Sequence, residues 1–172
     1  MIRLAREEDL SILRDIERAA GELFRGIGMS AIADDEPAPE AVLREYQRDG
    51  RAWVFVDDSD RPVGYLVGEL LDGAAHIEQV SVDPRFARRR IGQTLIEQFA
   101  VWAKARGANA LTLTTFVDVA WNGPYYARCG FRYMSAHELS PGLQSIRDAE
   151  AARGLDRWPR ACMRRELDVT VL

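Results

Sequence analysis

The side chains able to do chemistry concentrate in one stretch, residues 75–106, which reads AAHIEQVSVDPRFARRRIGQTLIEQFAVWAKAR. Residues 76–82 alternate as a strand. His76, Glu78, Val80 and Val82 fall on one face and Ile77, Gln79 and Ser81 on the other, so an imidazole and a carboxylate share a surface. From Ile91 the apolar residues Ile91, Leu95, Phe99, Trp102 and Ala103 recur at helical spacing, the stripe of a helix laid on a sheet. Three arginines, Arg88, Arg89 and Arg90, stand at the join, with Gly92 in the first helical turn. The first turn of a helix leaves N–H groups unpaired and carries the positive end of the dipole, so it invites an anion. Gly92 clears room for a close approach to the backbone. A diphosphate-bearing molecule suits this join better than a small anion; a solvated basic turn with a packing glycine is the plainer alternative.

Three further groups carry candidate chemistry. Tyr125 and Tyr126 sit in WNGPYYARCGF, where Asn122 suits an N-cap, Pro124 the first helical turn and Gly130 a helix stop. An aromatic pair in a short helix is ordinarily core. Asp34, Asp35 and Glu36 form an acidic loop, either solubilising or lining the entrance for a cationic substrate. Cys129 and Cys162 have neither CxxC spacing nor nearby histidines, so buried free thiols are expected, with no metal and no redox role.

The elements that must position these groups are legible from pattern. Strands are expected at 2–4, 52–56, 63–71, 76–82, 110–115, 131–134 and 161–167. Helices are expected from Leu10 toward Phe24, through Val42, Leu43 and Tyr46 to Gly50, from Ile91 to Gly107, over the short segment after Asn122, and from Ser140 to Gly154. Leu143, Ile146 and Ala149 form the apolar face of the last helix. Gly26 to Ser30 reads as flexible and Asp72-Gly73 as a hairpin turn. With 172 residues, 47% hydrophobic and 29% charged, the chain is expected to be one domain, 1–172, with an ordinary core. Net charge of −4 disfavours nucleic acid as the main partner, since the basic triplet is local. No apolar run is long enough to span a bilayer and no secretory segment is visible, so a cytoplasmic protein with no membrane partner is expected, as monomer or homodimer.

Strand, basic turn, helix and strand in this order resemble the GNAT N-acetyltransferase superfamily. Its acetyl-CoA signature runs Gln or Arg, two residues, Gly, one residue, then Gly or Ala, and V-D-P-R-F-A-R-R-R-I-G places Gly92 on its last position. Ala87 stands where the family prefers Gln or Arg, and Arg90 where it has its first glycine; with a helical φ, an arginine presents its N–H as glycine would. The Y-x-x-x-G-F spacing from Tyr126 to Phe131 resembles the family's second signature. The resemblance implies an α+β fold: a mixed, mainly antiparallel sheet flanked by helices and splayed between the fourth and fifth strands. It implies acetyl-CoA as co-substrate, held by Val80, Val82, Arg88, Arg89, Arg90, Ile91, Gly92, Gln93, Thr94 and Asn122, although the lead before Tyr126 is compressed relative to the family. The strand residues Val80 and Val82 would pair their backbone with the pantetheine amides.

The implied reaction acetylates a primary amine of a small, cationic molecule without a metal. An alkylammonium has a pKa of about 10.4, so some group must take a proton; Glu78, then His76, occupy positions where family members place a base. Tyr126, with a phenol pKa of about 10, would protonate a departing thiolate whose conjugate acid lies near 8.5. Acetylation of a protein N-terminus or lysine, and a CoA-binding regulatory module without turnover, are the alternatives. A phosphotransferase is excluded by the lack of G-x-x-x-x-G-K followed by Ser or Thr.

Overall fold

The computed structural model describes residues 1–168. Seven strands form one sheet in the order β1-β2-β3-β4-β5-β7-β6, where β1 is Ile2–Leu4, β2 Ala52–Val56, β3 Pro62–Leu71, β4 Ala74–Val82, β5 Ala110–Phe116, β6 Arg132–Tyr133 and β7 Arg160–Glu166. The β1/β2, β2/β3, β5/β7 and β6/β7 ladders are antiparallel, whereas β4 and β5 run parallel. This is the mixed, mainly antiparallel sheet with flanking helices that the resemblance implied. The β4/β5 register comprises Ala75↔Leu111 and His76↔Thr112, at the first half of β4. The chain divides into two compact units: residues 1–68 with 78–99, and residues 69–77 with Ala100 onward.

In the first unit, α1 (Leu10–Gly21) and α3 (Glu40–Arg48) supply Leu10, Leu13, Ile16 and Leu43 to a core shared with Val54, Val56, Tyr65 and Val67 of β2 and β3. The spacing of those helical residues is why the helices lie where they do. Asp9, buried before α1, accepts from the Arg6 N–H at 2.7 Å and pairs with Arg3 at 2.7 Å, which satisfies its charge. Residues 26–30, expected to be flexible, are built in. A 3₁₀ turn covers Glu22–Ile27, Gly28 turns left-handed at φ 79°, and α2 follows at Ser30–Ala33. Phe24 and Met29, both buried, anchor the segment. α4 (Ile91–Ala105) begins in this unit, where Gly64 permits its approach: a Cβ there would stand 2.9 Å from Ile91 Cγ2 and 3.3 Å from the Ser81 carbonyl oxygen.

In the second unit, Gly107 ends α4 at φ 77° and β5 returns parallel to β4. Asp72 and Gly73, at φ 51° and 82°, make the two-residue turn into β4. α5 (Gly123–Arg128) and α6 (Pro141–Ala152) complete the unit, with Cys129 and Cys162 buried and in no disulfide among the described residues. On α6 the expected apolar face is rotated. Leu143 is buried, but Ala149 is exposed and the buried neighbour is Glu150. That carboxylate accepts from Thr114 Oγ1 at 2.7 Å, Arg160 Nη2 at 2.9 Å and Arg147 Nη1 at 3.0 Å, which lets a charge take a core position.

Candidate active site

The loop from β4 into α4 lies wholly in the first unit. Asp83 opens it: Oδ1 accepts the Arg85 N–H at 3.0 Å and its carboxylate pairs with the Arg85 guanidinium at 2.7 Å. Ala87 is extended, Arg88 and Arg90 are left-handed at φ 64° and 58°, and Ile91 is already helical. The expectation of a helical φ at Arg90 is therefore corrected. The chain enters α4 through two left-handed residues, and that is glycine's conformation. The helical ladder starts with Thr94 N–H on the Arg90 carbonyl oxygen at 2.9 Å. Ile91, Gly92 and Gln93, one residue type after another, thus present first-turn N–H groups with no intrahelical acceptor. Arg88, Arg89 and Arg90 are exposed, and among the described residues none of them is in an ion pair; Arg89 lies over the Phe86 ring at 5.2 Å. Unpaired cations around unpaired N–H groups can hold a diphosphate.

The first unit also holds Glu78, exposed on β4, and the half-buried Val80 and Val82. The second holds His76, Asn122 and Tyr126. His76 is 2% exposed and its Nδ1 is 2.9 Å from Thr112 Oγ1. The half-buried Tyr126 ring packs edge-on against Tyr125 at 5.3 Å and Phe131 at 6.0 Å. Asn122 precedes α5, but its side chain makes no cap bond; Oδ1 accepts the Phe116 N–H at 3.4 Å, tying the helix start to the end of β5.

The acetyltransferase (GNAT) family model matches residues 13–131, which run from α1 through the arginine loop and Tyr126 to Phe131. The chain belongs to the GNAT acetyltransferase family. Solved structures share the fold of this GNAT chain at low identity. The PaiA N-acetyltransferase of Thermoplasma acidophilum, solved with coenzyme A, is 15% identical with a TM-score of 0.72, over 96% of this chain and 98% of that one. A ribosomal-protein alanine N-acetyltransferase of Escherichia coli is 16% identical with a TM-score of 0.68, over 99% and 96%. The N-acetylglutamate synthase of Neisseria gonorrhoeae, solved with coenzyme A and N-acetylglutamate, is 17% identical with a TM-score of 0.70, over 98% of this chain and 35% of that one.

Burial sets the electrostatics of the GNAT chain's ionisable groups. It drives the His76 imidazole down to about 4, with Glu150 opposing in part. It lifts the Tyr126 phenol above the ordinary tyrosine range, helped by Tyr125 and Cys129. A further titratable pair went unread in the sequence: Tyr65, fully buried, donates to Glu17 Oε2 at 3.3 Å, and burial raises the Glu17 carboxyl. The available signal was a glutamate beside Ile16 on the apolar stripe of α1. The acidic loop is internally engaged: Asp34 pairs with Arg25 at 2.7 Å, and Glu36 with Arg18 at 3.0 Å and Arg14 at 3.6 Å. Among the described residues no cluster of three or more His, Cys, Asp or Glu could hold a metal, and no helix is long and apolar enough to cross a membrane.

Proposed function

We propose that this GNAT acetyltransferase moves the acetyl group of acetyl-CoA onto a primary amine. The observation that carries the reading is the loop at 88–93, where three arginines without ion-pair partners among the described residues surround the open N-terminus of α4. It suits the diphosphate of CoA through charge and through backbone N–H groups together. The half-buried Val80 and Val82 supply the strand along which pantetheine amides would pair. Asn122, whose Oδ1 is committed to the Phe116 N–H, serves the site by fixing the start of α5 rather than through its own amide.

Acetyl-CoA supplies the activated acyl group; the chain supplies the proton transfers. The acceptor nitrogen must be neutral to attack the thioester carbonyl, and its proton passes, directly or through a bridging water, to the exposed Glu78 carboxylate. His76, buried and with its basicity depressed, is the poorer acceptor. As the carbon–sulfur bond breaks, the Tyr126 hydroxyl donates its proton to the thiolate sulfur and is later reprotonated from solvent. The products are an acetamide and free CoA thiol. The ion-paired Asp34 and Glu36 give no support to a cationic acceptor, so the proposal stops at a primary amine.

The test is an amine panel with acetyl-CoA, reading free thiol. Turnover on at least one amine, with Glu78→Gln flattening the low-pH limb of kcat/KM for it, supports the reading. No CoA binding by calorimetry at low salt would sink it, and a Glu78→Gln profile identical to wild type would remove Glu78 from the mechanism.

A further inference from the structure

In the second unit, α6, the segment before it and the start of β7 enclose a cavity of about 300 Å³. Part of its wall is apolar, including Met134, Leu139 and Ala151. The rest is polar or charged. Arg147 and Arg160 line it, with side chains only 16% and 8% exposed, and both hold the Glu150 carboxylate behind them. Two guanidinium charges are thus sunk beside one buried carboxylate; among the described residues their other partners are Asp156, half-exposed and 2.9 Å from Arg147 Nη2, and Thr114 Oγ1, which accepts from Arg160 Nη2 at 3.0 Å. Buried charge is costly unless its pairing is complete. It is incomplete here, since the Arg160 Nε–H is buried without an acceptor. A ligand carboxylate in the cavity would add a negative partner for the two guanidinium groups that line it.

The same cavity carries the opposite charge on its outer side. Asp148, which accepts from Gln144 Nε2 at 2.9 Å, and Asp156 both line it. A simple anion would meet these two carboxylates and be repelled, and a simple cation would meet the arginines. A molecule with both charges and an apolar body meets neither difficulty. We propose that this cavity binds a free α-amino acid with an apolar side chain, its carboxylate against Arg160 and Arg147 and its ammonium against Asp148 and Asp156. The volume admits a side chain of leucine size against Met134 and Leu139. The proposal stands without the acetyl-transfer reading, because it concerns binding in the absence of CoA.

The probes are L-leucine, leucinamide and 4-methylpentanoate, titrated calorimetrically into the CoA-free protein. Leucine is expected to bind within a concentration range up to roughly 10 mM. Leucinamide lacks the carboxylate and 4-methylpentanoate the ammonium, so each should bind about tenfold or more weakly. Asp148→Asn should weaken leucine while leaving 4-methylpentanoate unchanged or tighter. Ala151→Phe fills the cavity from an exposed position on α6 and should abolish leucine binding while CoA binding and the melting temperature hold. No heat from leucine over that range, equal binding of all three probes, or leucine binding to Ala151→Phe as to wild type would each overturn the proposal.

Discussion

Burial acts on Tyr126 and His76 alike by disfavouring the charged form, and the consequences for the two residues differ in sign. For Tyr126 it raises the phenol, so the hydroxyl keeps its proton at neutral pH. Tyr126→Phe preserves the packing on Tyr125 and Phe131 and removes only the proton. We expect kcat to fall by roughly 10²–10⁴ with CoA affinity unchanged, measured by thiol release and calorimetry; an equal loss in affinity would mark a packing role. For His76, burial depresses the imidazole to about 4, from an unfolded value near 6.5. Between those values the unfolded chain binds the proton and the folded chain does not. Stability therefore rises with pH across that window: it is complete above about 6.5 and is lost as pH falls through 4, by roughly 3 kcal/mol in all. Urea unfolding at pH 7 and pH 4.5 should show this slope in wild type and a flatter one in His76→Gln.

The loop between β4 and α4 shows how an element can spend stability on a site. Arg88 and Arg90 hold left-handed φ without glycine's freedom, at about 1–2 kcal/mol per residue before unfolded-state effects. Replacing either with glycine relieves that strain but loosens the unfolded chain, so the net gain should be about 0.5–1 kcal/mol. The same change removes a guanidinium from the expected diphosphate site. Thermal unfolding and CoA calorimetry on Arg88→Gly and Arg90→Gly should thus move in opposite directions, stability up and affinity down. If affinity rises with stability, the arginine side chains serve no anion, and the backbone alone holds it.

Across the whole chain, charge is balanced close to neutral, at −4, with the exposed arginine loop as a local exception. The attraction of that loop for CoA should be screened by salt, so the CoA dissociation constant should rise several-fold between roughly 0.05 and 0.5 M NaCl. A salt-independent constant would shift the binding energy to apolar contacts. The segments and their order could be read from the amino-acid sequence because they rest on local pattern: the apolar run of β2, alternation in β5, the helical stripe from Ile91, and the punctuation of Gly107, Gly130 and Ser140-Pro141. So could the basic loop and the Tyr126 motif, whose residues are contiguous. Tertiary structure decided the states of the groups. His76 and Glu78 look equivalent on an alternating strand, yet one is buried against Thr112 and the other is exposed. Glu150 breaks the apolar face of α6 because partners 10 and 36 residues away, Arg160 and Thr114, neutralise it. Asp34 and Glu36 read as open negative charge until Arg25, Arg18 and Arg14 fold onto them. Local pattern reports what a backbone segment prefers, whereas protonation and pairing depend on neighbours that only the folded chain brings within a few ångströms.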